Sequence, residues 1–101
     1  MEKKKPHYPL ELVKRLIADK GHDPFTQSAK NGAAEMGLDG DELRGVVAGL
    51  TTRDFYKSMT THTSSKMWQD VYRPVTRMSA AYVKVMVYPR ENLIVVSFKE
   101  L

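Results

Sequence analysis

The chain has 101 residues, 42% of them hydrophobic, which fits one compact domain over 1–101 with a single modest core. The absence of cysteine excludes a disulfide framework, a thiol nucleophile and the usual zinc clusters. No apolar run approaches the roughly 20 residues that cross a bilayer, and no signal-peptide core follows the basic start, so a cytoplasmic protein without membrane contact is expected; the net charge of +4 favours a polyanionic partner.

Residues 1–8 are polar and basic, with Pro6 opposing a helix. Lys3, Lys4 and Lys5 read equally as an anion-binding cluster or as a solvated, disordered terminus. Pro9 suits the first turn of a helix running to about Lys20. Leu10, Val13, Leu16 and Ile17 recur at helical spacing while Glu11, Lys14, Arg15 and Asp19 face outward, and Gly21 is the stop. Residues 22–25 form a connector or a short edge strand. Thr26 caps a small-residue helix over 27–36, with Ala29, Ala33 and Met36 inward and Gly37 ending it. Asp39 and Glu42 have the spacing of a variant capping box, opening a third helix to about Gly49 that is apolar at Leu43, Val46, Val47 and Leu50.

From Arg53 onward the pattern alternates, and strands are predicted over 54–61, 67–74, 80–88 and 93–99. A polar loop at 62–66 joins the first two, and a turn at 89–92 joins the last two. Helices followed by a strand meander predict an α+β fold: one largely antiparallel sheet packed against about three helices.

Residues two apart on a strand share a face. Lys57 thus goes with Met59, Gln69 with Val71 and Arg73, and Tyr82 with Lys84. With Val83, Val85 and Val87 against the helices, Tyr82 and Lys84 fall on the open face, and matching registers would bring Lys57, Gln69 and Arg73 to it. Lys57, Lys66, Gln69 and Arg73 among Phe55, Tyr56, Trp68 and Tyr72 suit a surface that grips phosphate and stacks bases. The same composition suits an ordinary amphipathic hairpin with Trp68 and Tyr72 in the core. Charge points the same way: residues 1–20 and 54–101 each carry a net +3, whereas 21–53 carry −2. His7, His22 and His62 lack metal-ligand spacing and read as surface residues, so no metal site is expected.

The segments DFYKSMTT (54–61), WQDVYRP (68–74), YVKV (82–85) and VSFKE (96–100), with the opening MEKKKPH, resemble the motility quorum-sensing regulator family. These are messenger-RNA interferase toxins of bacterial toxin–antitoxin pairs, and the resemblance covers nearly the whole chain. It implies a RelE-like ribonuclease fold and cleavage of single-stranded mRNA at short GC-containing sequences, with no cofactor. It also implies a dimeric, zinc-containing, DNA-binding antitoxin as partner to a toxin that is monomeric when free. The active-site positions proposed for the family fall on Lys57, Gln69 and Tyr82, and positions thought to hold RNA fall on Met59 and Arg73; Lys84 joins them as a phosphate-steering charge. The loops at 19–25 and 62–66 match the family weakly, and the turn at 89–92 is longer.

Two other functions compete. One is a non-catalytic RNA-binding or protein-interaction module on the same sheet. The other is a DNA-binding regulator, because 27–50 superficially reads as helix–turn–helix with Gly37 and Leu38 at the turn. That segment is acidic overall, and its second helix offers only Arg44 to a nucleic acid.

Overall fold

The computed structural model describes residues 1–64 and 66–101. The predicted loop at 62–66 therefore includes one position, Ser65, outside the described residues. Among the described residues the elements run β1 (Glu2–Lys3), α1 (Leu10–Ala18), α2 (Gln27–Glu35), α3 (Gly40–Ala48), β2 (Phe55–Thr60), β3 (Trp68–Tyr72), β4 (Ala81–Tyr88) and β5 (Leu93–Glu100). The strands form one sheet in the order β1-β2-β3-β4-β5, every neighbouring pair antiparallel. The α+β expectation holds.

Each helix boundary has a chemical cause. Pro9 is the N-cap of α1 rather than its first helical residue, and α1 stops at Ala18 because Asp19 turns extended and its carboxylate accepts from the Gly21 amide at 2.8 Å. That Asx-type turn ends the helix two residues before Lys20. Thr26 caps α2 by accepting from the Ala29 amide at 3.0 Å. At its other end the Gly37 amide donates to the Ala34 carbonyl and the Leu38 amide to the Ala33 carbonyl, with Gly37 at φ +82°. This is a Schellman closure, which needs a left-handed residue at that point. The capping box of α3 is complete, Asp39 and Glu42 each accepting the other's amide.

The core lies between the helices and one face of the sheet. Val83, Val85, Val87, Ile94, Val96 and Phe98 meet Val13, Ile17, Leu43, Val47 and Leu50, all buried. Burying each such side chain stabilises the fold by about 1.5–3 kcal/mol. The outer edge of β5 is covered. Phe25 bridges Val96 in parallel, the predicted edge strand reduced to a single pair. Behind it α2 approaches so closely that a Cβ on Gly32 would lie 2.3 Å from the Phe98 carbonyl oxygen.

At the opposite edge the basic start is ordered rather than disordered, although Lys4 and Lys5 stay exposed. Glu2 and Lys3 pair with Met59 and Ser58 as an added strand. Buried Asp70 draws the next residues in, accepting the His7 amide at 3.0 Å and the Tyr8 amide at 2.9 Å. The Tyr8 hydroxyl donates to the Trp68 carbonyl at 2.7 Å, the His7 ring stacks on Trp68, and the Lys3 ammonium stands 4.2 Å from the Trp68 ring centroid.

Candidate active site

The registers decide which side chains share a face, because paired residues of an antiparallel ladder project to the same side. Asp70 pairs with Val85 and Tyr72 with Val83, which puts Trp68, Asp70 and Tyr72 on the helix side. Val71 pairs with Lys84 on one flank and with Lys57 on the other, and Gln69 pairs with Met59. Lys57, Val71 and Lys84 therefore form one row across three strands on the open face, about 10 Å wide at the usual strand spacing. Val71 at its centre is fully buried.

Tyr82 lies two residues before Lys84 on β4 and opposite Lys99 on β5. Arg73 follows Tyr72 directly beyond the end of β3, its amide donating to the Asp54 carbonyl at 2.7 Å. All six predicted positions, Lys57, Gln69, Tyr82, Arg73, Met59 and Lys84, come to the open face. Trp68 and Tyr72 go to the core side, and Lys66 lines a different hollow with His7, Tyr88 and Arg90.

A β-bulge makes the face richer than parity suggests. The register shifts between Phe55 and Lys57, so Phe55 keeps its place opposite Tyr72 while Tyr56 becomes the extra residue. Its ring lies 3.8 Å from the Arg73 guanidinium, 5.5 Å from the Lys57 ammonium and 5.3 Å from the Lys4 ammonium. Strict alternation would have sent Tyr56 to the other side, which is why sequence parity missed it. Lys99 was missed as well, although its signal was present: Val96 and Phe98 point inward, so Ser97 and Lys99 point out. The Lys99 ammonium stands 5.5 Å from the Tyr82 ring, and both residues line a cavity of about 240 Å³ with Lys84, Ser97, Phe98 and Ser28.

The electrostatics are cationic with one local exception. Lys57 forms an ion pair with Glu2 at 2.8 Å, which raises the lysine above its ordinary value, chiefly through that hydrogen bond. Burial and then the neighbouring Lys3 lower His7 below its usual value. The face thus presents fixed positive charge, a carboxamide and a phenol, a set able to bind a phosphodiester and move a proton at its oxygens. By contrast the helix–turn–helix reading loses the one cation of its second helix, since Arg44 donates to the Ile17 carbonyl and lies over the Phe25 ring.

Comparison with known proteins identifies the family. The sequence profile of the family described as "Motility quorum-sensing regulator, toxin of MqsA" matches residues 5–100. The chain is also 45% identical over 100 residues to the mRNA interferase toxin MqsR of Escherichia coli (strain K12), covering 99% of each sequence. A match of that extent leaves no substantial segment unaccounted for, and the chain belongs to the motility quorum-sensing regulator family of toxins.

Proposed function

We propose that this chain is an mRNA interferase, an endoribonuclease toxin that cuts single-stranded transcripts on the open face of its sheet. The observation that carries the proposal is the register that gathers Lys57, Gln69, Arg73 and Tyr82 on the one sheet face free of helices. The relative's name, mRNA interferase toxin, supplies the substrate class.

RNA carries its own nucleophile. The 2′-oxygen forms a bond to the adjacent phosphorus, the bond from phosphorus to the 5′-oxygen breaks, and the proton lost by the 2′-hydroxyl is balanced by one gained at the leaving oxygen. The products are a 2′,3′-cyclic phosphate and a 5′-hydroxyl, and the chemistry needs no cofactor. Lys57 offers positive charge to the phosphoryl oxygens and a proton to the leaving group. Arg73 offers a planar, bidentate phosphate contact. Tyr82 meets the 2′-hydroxyl or the leaving oxygen, and Gln69 orients the phosphate or a base edge. Met59 and Lys84 flank the RNA path, with Tyr56 as a stacking ring and Lys99 as a steering charge beside it.

The family description names an antitoxin partner, MqsA. We infer that a cognate antitoxin, dimeric, zinc-containing and DNA-binding, neutralises a monomeric toxin, and that cleavage falls at short GC-containing sequences. Among the described residues no helix is long and apolar enough to cross a membrane, and a cytoplasmic site of action follows from the substrate.

The test is incubation of the purified protein with a defined RNA in chelator, mapping ends by primer extension and assaying for cyclic phosphate. Lys57→Ala should slow single-turnover cleavage by about 10²–10³. Parental speed in that variant would withdraw Lys57 from the reaction, and RNA binding without new ends would leave a binding module only.

A further inference from the structure

We propose that Glu2 is a stand-in for the RNA phosphate: its carboxylate holds the Lys57 ammonium in its phosphate-contacting position while the protein is free, and yields it when RNA arrives. Glu2 is thus a positioning residue for the proposed reaction, and the inference rests on the reading of Lys57 above.

Backbone geometry makes the contact a built one. Glu2 sits opposite Met59 in the ladder, so its side chain projects onto the open face beside Lys57. The Thr60 amide donates to the Met1 carbonyl at 3.0 Å on one side of it, and Lys3 is placed over Trp68 on the other. Its backbone is therefore fixed while its carboxylate remains free to swing. The exposures differ in the same sense, 18% for the lysine side chain against 56% for the glutamate, so the carboxylate covers the ammonium from the solvent side.

The groups around Lys57 explain why a stand-in is useful. Tyr56 comes from its own strand, Arg73 from beyond β3, and Tyr82 and Lys84 from β4, with Lys4 next to Glu2. They line the approach of an RNA strand, whose phosphate competes with the Glu2 carboxylate for the Lys57 ammonium. A carboxylate and a phosphodiester both present anionic oxygens to an ammonium, so Glu2 reproduces the bound arrangement. An exposed pair of this kind is weak, and a polyanion that also engages Arg73 displaces it.

The experiment compares parent, Glu2→Gln, Lys57→Met and the double variant on one short RNA and on its non-cleavable 2′-O-methyl counterpart at low salt. Glu2→Gln should bind the 2′-O-methyl strand about 2–5-fold more tightly and lower KM by the same factor without a matching change in kcat. That gain should disappear in the Lys57→Met background. In parallel, an NMR pH titration of the Glu2 carboxyl follows the pair directly. Its pKa should lie below the ordinary glutamate value in the free protein, as the Lys57 hydrogen bond requires, and rise back when the 2′-O-methyl strand is added. An undiminished gain in the Lys57→Met background, no gain at all, or a Glu2 titration indifferent to the added strand overturns the proposal. Full cleavage by Lys57→Ala, with Glu2 still responding to the strand, would sink the catalytic role of Lys57 alone.

Discussion

The two faces of β4 share one backbone and one set of ladder hydrogen bonds, yet they are chemically opposite. Ala81, Val83, Val85 and Val87 are at most 3% exposed and lie under the helices, while Tyr82, Lys84, Met86 and Tyr88 stay half-buried on the other side. The helix-side face contributes stability through apolar burial; the open face keeps charge hydrated and in reach of a ligand. Substitutions on the first should therefore act on folding, and on the second on catalysis, and each of the following sharpens or breaks that division.

The largest effect is expected from Asp70, the one carboxylate on the helix-side face of β3. Asp70→Ala strands the part-buried amide of His7 and the buried amide of Tyr8, the buried one costing about 1–3 kcal/mol when unsatisfied, so stability should fall by about 3 kcal/mol, a Tm loss on the order of 15 °C. Denaturant melts measure it; an unchanged midpoint would show that residues 1–8 need no such anchor. A smaller effect, and on the other quantity, is expected from Arg73→Lys. Charge is kept and the planar fork lost, so kcat/KM should drop by about tenfold with the melting midpoint unmoved. A drop in both would mean that the open face also holds the fold together. The smallest effect concerns Tyr72, whose hydroxyl is buried without a partner among the described residues and is pushed up to about 12, mainly by burial. Tyr72→Phe should leave cleavage intact and raise stability by up to about 1 kcal/mol; destabilisation would reveal a hidden partner for the phenol.

Much of this was legible in the sequence, and for local reasons. Thr26, Gly37 and the pair Asp39 and Glu42 mark helix ends through bonds to backbone only a few residues away, and the valines of β4 announce a half-buried strand by alternation. Parity brought Lys57, Gln69 and Tyr82 to one face, and the family resemblance then implied active-site positions for them. What escaped depended on contacts distant in sequence. Nothing near Glu2 and Lys3 signals a strand; they pair because residues 7 and 8 are bound to Asp70, more than 60 positions away. Asp70 itself reads as a polar strand residue until those amides are seen. Tyr56 was named among the candidate stacking aromatics, but its place on the open face was hidden because a bulge is invisible to alternation.

That bulge bears on how the family's surface can change. An ordinary one-residue deletion within a strand turns every later side chain to the wrong face. Loss of Tyr56 would do the reverse, restoring simple two-residue periodicity between Phe55 and Lys57 and leaving all other pairings untouched. Position 56 is thus a site where the sheet can gain or shed an aromatic ring without reframing anything else, a place for substrate preference to drift while the groups proposed to cut RNA stay put.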